Sequence, residues 1–172
     1  MPKIIKNLEK RLVEEARQQI EKNDYGGMTM RSVAEACDVG VGTVYNYFSS
    51  KDELLATYML GDWNRCIDAI NAVSKYSDSP APVLRCIYDQ LLGYAAAHQG
   101  ILRDKSAASA FAATFSRFHK ILRQQLAIPL SKFCDNEFCA EFIAEAMLAW
   151  SLEGKDFDGI YAVIEKLFKD RN

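Results

Sequence analysis

Prolines and glycines are scarce in this 172-residue sequence, four and nine respectively, and no run alternates β-branched with polar residues. Strands need that period of two, so a β-rich fold is excluded and an all-α chain is expected. Long apolar runs are missing as well. Stretches such as Ala95-Ala96-Ala97 are only a few residues long, against the roughly 20 that cross a bilayer. The opening MPKIIKNLEKRL carries charges throughout and has no continuous apolar centre, unlike a signal peptide, which predicts a cytoplasmic protein. No strong charge of one sign is present: the formal net charge is −2, so any attraction to nucleic acid must come from local residues. The five cysteines, Cys37, Cys66, Cys86, Cys134 and Cys139, are odd in number and widely spaced, which predicts reduced thiols rather than a disulfide framework. Neither Cys134 with Cys139 nor His98 with His119 has the paired spacing of a zinc site, and no segment resembles a catalytic loop. No metal, cofactor or enzymatic activity is expected.

What remains is a chain of amphipathic helices, about nine of them, with no internal repeat. Ile5, Leu8, Leu12, Ala16 and Ile20 recur at three- and four-residue steps and predict a first helix that stops over Asn23 to Gly27. Thr29 is placed to cap a short helix from Met30 to about Cys37, and a tight turn at Asp38 to Gly40 leads into another, Val41 to Phe48. Ser50 with Glu53 three residues on forms a capping-box pattern opening a long helix from Lys51 to about Tyr76. Further helices are predicted from about Ala81 to His98, closed by Gly100, and from about Lys105 to Ala127, closed by Pro129. Two more occupy about Asn136 to Leu152 and Phe157 to Asp170.

Val33, Ala34, Val39, Val44 and Phe48 are spaced so that both short helices turn one side toward the first helix, as in a miniature core. The opposite side of the second short helix then presents Val41, Gly42, Thr43, Tyr45, Asn46 and Tyr47, a set without a carboxylate and suited to a negatively charged groove. Thr43 and Tyr47 can donate hydroxyls to phosphates, Val41 can touch a thymine methyl, and Asn46 can pair with an adenine edge. Lys51 adds a cation at a helix N-terminus, and Arg31, just after Thr29, offers a second.

The run from Thr29 to Leu55, TMRSVAEACDVGVGTVYNYFSSKDELL, resembles the N-terminal DNA-binding module of the TetR family of bacterial transcriptional regulators. It combines a helix-turn-helix, Gly42-Thr43-Val44-Tyr45-x-Tyr47-Phe48 in the recognition helix, and Lys51-x-x-Leu54 opening the next. The resemblance implies a helix-turn-helix DNA-binding domain over residues 1–50 and a helical effector-binding and dimerisation domain over 51–172. It implies a homodimeric repressor on a palindromic double-stranded operator, released by a small, largely apolar or aromatic ligand. The DNA-contacting set is then Thr29, Arg31, Val41, Gly42, Thr43, Tyr45, Asn46, Tyr47 and Lys51. Two positions depart from the family pattern. Cys37-Asp38 stands where Ala-Gly is usual, and Gly40 where a Ser or Thr caps the recognition helix, so a looser turn is expected. Residues 1–50 hold seven basic and seven acidic residues, which predicts modest non-specific affinity.

Trp63 and Cys66, then Tyr88, Leu91, Ala95 and His98, then Phe111, Phe115 and Phe118 lie at helical spacing on three successive helices. Such a set either lines a ligand pocket or forms a packed core; His98 also suits the C-terminal end of its helix. If the set lines a pocket, Trp63, Cys66, Tyr88, Leu91, His98, Phe111, Phe115 and Phe118 are its residues. If it is only core, the chain is an effector-independent DNA-binding protein. Between Glu137 and Leu152 the charges fall only at Glu137, Glu141 and Glu145, and the last helix is equally broad in its apolar face. Phe138, Phe142, Ala146, Trp150, Tyr161, Ile164 and Phe168 are therefore expected in a dimer interface about a two-fold axis.

Overall fold

The computed structural model describes residues 7–102 and 119–169, and these are helices joined by short turns. They are α1 (Leu8–Gly27), α2 (Met30–Ala36), α3 (Val41–Tyr47), α4 (Lys51–Tyr76), α5 (Pro80–Ala97), α6 (Gln99–Leu102), α7 (helical over 119–130), α8 (Glu137–Leu152), α9 (Phe157–Ile164) and α10 (Lys166–Lys169). A 3-10 turn, Ser131–Phe133, precedes α8. Among the described residues there is no strand, and no helix is long and apolar enough to cross a membrane.

Several helix ends differ from those predicted. α1 runs on through Asn23 to Gly27, because two glycines at a helix's last turn lower its propensity without removing any hydrogen bond. Gly27 is required there: a Cβ on it would lie 2.5 Å from the Cβ of Asn23. Gly100 does not end a helix but lies within α6, and Pro129 lies within the last turn of α7. The final helix breaks at Glu165 into α9 and α10.

The chain forms two compact units. Among the described residues the first comprises 7–62 and 98–102, the second 63–97 and 119–169. The division falls inside α4 rather than at residue 50, because Leu54, Leu55 and Tyr58 from the first two turns of α4 are buried with the helix-turn-helix. In that core the α1 stripe Leu8, Leu12, Ala16 and Ile20 meets Val33 and Ala34 of α2 and Val44 and Phe48 next to them on α3 and its C-cap. Val39 packs against it partly buried, so the five expected core positions are all present. At about 1.5–3 kcal/mol per large side chain removed from water, this stripe is what holds two seven-residue helices that would not persist alone. Ile101 of α6 joins the same core.

In the second unit α5 packs on α8 and α9. Trp63, Ile70, Leu84, Ile87, Leu91, Leu126, Ile143 and Met147 form its centre. Glu141 and Glu145 of α8 face α7: His119 Nε2 lies 2.9 Å from Glu145 Oε1 and Arg123 Nε 3.6 Å from Glu141 Oε2. All five cysteines are free thiols.

Candidate nucleic-acid interface

The approach to α3 is set by how α2 begins and ends. Thr29 Oγ1 accepts the Ser32 backbone N–H at 3.0 Å while Ser32 Oγ accepts the Thr29 N–H at 3.0 Å, a reciprocal capping box. Thr29, expected near DNA, thus has its hydroxyl engaged in holding α2, although the residue itself is exposed. At the other end Asp38 adopts φ 54°, its N–H donates to Glu35 O, and the Val39 N–H donates to Ala34 O. This is a Schellman turn with aspartate in the left-handed position usually given to glycine. α1 reinforces the turn. Arg11 Nη2 donates to Cys37 O at 2.9 Å, and Cys37 Sγ contacts Arg11 O at 3.7 Å. Arg11 was not singled out in the sequence, since only the fold brings a residue 26 positions away against the turn. Burial pushes the Cys37 thiol up, so it stays protonated and acts as an apolar filler.

Gly40 caps α3 with no side-chain bond, as its identity requires, and the Thr43 N–H donates to Gly40 O at 2.8 Å. Val44 faces the core. Val41, Gly42, Tyr45 and Asn46 are exposed, with Tyr45 at 52%, whereas Thr43 and Tyr47 are half-buried and Tyr47 packs partly on the core. The outer face of α3 is therefore small, aromatic and amide-bearing, with no carboxylate among its seven residues. A Cβ on Gly42 would meet nothing within 4 Å, so its lack of a side chain is not a packing need and leaves the backbone open to close approach. Arg31 is exposed near the start of α2.

The first turn of α4 stands beside this surface in sequence. Ser50 Oγ accepts the Glu53 N–H at 3.1 Å, and the Glu53 carboxylate accepts from the hydroxyl and N–H of Ser49 at 2.6 and 2.7 Å. The Ser49 hydroxyl, then its N–H, holds the Glu53 carboxyl below its ordinary range. Lys51 is half-buried. Its Nζ donates to the Tyr25 carbonyl and sits 3.9 Å from the centre of the Tyr25 ring, and the Tyr25 hydroxyl donates to Asp52 Oδ1 at 2.8 Å.

The residues expected to line a ligand pocket divide between the units. Trp63, Cys66 and Leu91 are buried in the core of the second, and Tyr88 packs against it. The polar ends there have partners in place: Trp63 Nε1 donates to Gln125 Oε1 at 2.5 Å and the Tyr88 hydroxyl to Lys155 O at 3.0 Å. His98 belongs to the first unit. It is 1% exposed, its ring centre is 4.9 Å from that of Tyr58, and its Nε2 is 3.2 Å from Asp62 Oδ2. Phe111, Phe115 and Phe118 lie outside the described residues. Among the described residues no group of three or more His, Cys, Asp or Glu is placed to hold a metal ion.

Of the residues expected between subunits, Phe138, Phe142 and Trp150 are exposed at 77%, 54% and 47%, with the two phenyl rings 6.4 Å apart. Ala146 is half-buried on the same helix. Ile164 is a correction. It is 2% exposed and belongs to the core of its own unit, because α9 turns Ile160 and Ile164 inward. Tyr161 stacks on Phe157 at 5.5 Å, and Phe168 packs partly on that core. The outward apolar residues at this end are Val163 and Leu167, 65% and 43% exposed.

Comparison with known proteins agrees with this geometry. Residues 12–58 match the model for bacterial regulatory proteins of the tetR family. Over 60 residues the chain is 38% identical to the transcriptional repressor KstR of Rhodococcus jostii; that match covers 35% of this chain and 28% of KstR. The whole fold is similar to two solved structures: SCO7518 from Streptomyces coelicolor A3(2) and the TetR-family repressor AlkX from Dietzia. SCO7518 has a TM-score of 0.70 at 12% identity, covering 92% of this chain and 96% of the other. For AlkX, which is implicated in biodegradation of n-alkanes, the values are 0.69 and 15%, covering 93% and 97%. Residues 12–58 are thus similar to the helix-turn-helix module of the tetR family of bacterial regulatory proteins, and the chain shares the fold of these solved regulators.

Proposed function

We propose that the chain is a homodimeric transcriptional repressor of the cytoplasm that seats α3 of each copy in successive major grooves of a palindromic operator. The observation that carries this reading is the outer face of α3. A seven-residue helix held rigidly by its inner side exposes Val41, Tyr45 and Asn46 and contains no carboxylate that would meet phosphate. KstR, similar over the same module, is a repressor. The exposed phenyl and indole rings of Phe138, Phe142 and Trp150 support self-association through α8, since three large apolar side chains along one helix favour burial against a second copy. The role is binding, with no catalytic step.

Release by a small apolar or aromatic ligand is the further part of this reading, with Trp63, Cys66, Tyr88 and Leu91 on the ligand side. α4 supplies a covalent route, because it carries Lys51 at one end and Trp63 and Cys66 further along. AlkX, of similar fold, is implicated in the breakdown of apolar molecules. A second reading, DNA binding without an effector, is favoured by the hydrogen bonds that already occupy the Trp63 indole and the Tyr88 hydroxyl. The two are separated by titrating a stabilising compound by calorimetry with and without operator. Under the first, operator weakens the compound by the factor by which the compound weakens operator; under the second, the affinities are equal.

The experiment that tests the function is selection of bound duplexes from random DNA. Enrichment of a palindrome whose half-sites lie about one helical turn, roughly 34–36 Å, apart is expected. Failure to enrich any sequence overturns the reading.

A further inference from the structure

The end of α1 and the start of α4 share one residue as their fastening. Tyr25 lies in the last turn of α1, where carbonyls have no N–H four residues on within the helix. The N–H that would have served it, that of Thr29, donates instead to Ser32 Oγ in the α2 capping box. The Tyr25 carbonyl accepts from the Lys51 ammonium, whose charge also suits the negative end of α1. The same ammonium lies over the Tyr25 ring, 3.9 Å from its centre, and the ring's hydroxyl donates to Asp52 Oδ1 at 2.8 Å. One side chain and its own carbonyl therefore hold both charges of the first turn of α4, the cation through carbonyl and ring and the anion through the phenol.

We propose that Tyr25 is a positioning residue for DNA: it fixes the Lys51 ammonium at the α4 N-terminus to meet a phosphate and ties the adjacent Asp52 carboxylate in place. The proposal rests on the DNA-binding reading above and deepens it. An ammonium has three donors, so the bond to the Tyr25 carbonyl does not by itself preclude one to a phosphate oxygen. A free lysine chain would lose rotamer entropy on meeting the phosphate; held against the ring, it has lost that freedom already. Asp52 is the opposing charge. Adjacent residues on a helix point about 100° apart, so an untethered Asp52 side chain would add a negative charge to the same first turn without neutralising Lys51. The helix-turn-helix motif points to Lys51 but not to Tyr25, which stands 26 residues earlier in the chain.

The test uses full-length protein and a duplex recovered from a random pool by the native chain, with affinity measured across a range of salt. Lys51→Ala should lower the slope of log affinity against log salt by about one phosphate's worth, 0.9. Tyr25→Leu, which keeps the backbone carbonyl and the Lys51 charge but removes the ring, should lower it by a smaller amount, and adding it to Lys51→Ala should lower the slope no further. Tyr25→Phe, which keeps ring and carbonyl, should leave the slope unchanged while weakening binding about three- to tenfold, on the order expected for one exposed charge near a phosphate. Adding Asp52→Asn to Tyr25→Phe should restore native affinity. A purely structural Tyr25 would lower thermal stability in these variants without moving the salt slope, and Asp52→Asn would rescue nothing. That pattern, or additive losses for Tyr25→Leu and Lys51→Ala, overturns the proposal. If the native chain enriches no duplex at all, the DNA-binding reading has failed and this one with it, an outcome distinct from native binding that Tyr25 does not affect.

Discussion

The helix-turn-helix contains a test of its own backbone, because the chain builds the same C-terminal turn twice with different residues. After α8, Gly154 has φ 80°, its N–H donates to Ser151 O at 3.0 Å, and the Lys155 N–H donates to Trp150 O at 3.0 Å. After α2, Asp38 has φ 54° and the equivalent bonds are 3.1 and 3.0 Å. For an L-residue the left-handed conformation costs roughly 1–2 kcal/mol, with aspartate at the low end. Glycine removes that cost but returns about 0.4–1 kcal/mol through its freer unfolded chain. Aspartate also places a negative charge at the negative end of α2, worth about 0.3–1 kcal/mol at an exposed site. Asp38→Gly is therefore expected to stabilise the protein by about 0.5–1 kcal/mol, a Tm rise of about 1–4 °C for a chain of this length. Asp38→Asn, which removes the charge and keeps a residue tolerant of the left-handed region, should fall between the two. Gly154→Ala is the reciprocal control. A Cβ there meets nothing within 4 Å, so its expected loss of about 1 kcal/mol is purely conformational. Urea and thermal unfolding of the four proteins measure the order. Asp38→Gly no more stable than native, beside a destabilised Gly154→Ala, would refute the reasoning and assign Asp38 a stabilising contact that outweighs its backbone cost.

Burial, and next the nearby Asp62 carboxylate, pushes the Tyr58 phenol up to about 12. Because the folded value lies above the ordinary one of about 10, the stabilisation is whole below that pH and is lost as pH rises from about 10 to about 12, some 2–3 kcal/mol in all. Thermal melts across that window should fall more steeply for native protein than for Tyr58→Phe, and parallel curves would show that the phenol ionises equally in both states. At the other end of the chain, Phe142→Glu combined with Trp150→Glu should give monomer by sedimentation at micromolar concentration while leaving the helical circular dichroism unchanged. Native protein that is itself monomeric there would remove α8 as the contact.

How much was legible depended on whether the deciding interaction was local. The α1 stripe, the Thr29 cap, the bounds of α4 and the inward Val44 could be read because each follows from spacing within one or two turns. The outward face of α3 followed by subtraction once its inner face was fixed, which is why Val41, Gly42, Tyr45 and Asn46 are exposed as expected, whereas Thr43 and Tyr47 of the same expected set are half-buried. Interactions that close over long sequence distances were not legible. Nothing local marks Arg11 as the donor to Cys37 O, Tyr25 as the partner of Lys51, or Gln125 as the acceptor for Trp63, 62 residues away. The partners of Glu141 and Glu145 were not legible for the same reason: four-residue spacing of acids describes a solvated face and a face paired with His119 and Arg123 equally well. Ile164 shows the complementary limit. On a short helix apolar nearly all round, periodicity alone cannot assign the inward side, and the packing of α5 on α8 and α9 decides it. The outer face of α3 proposed to meet DNA belongs to the first kind of information and the contacts around it to the second. That is the reason a motif names Lys51 while the structure is needed to find the tyrosine beneath it.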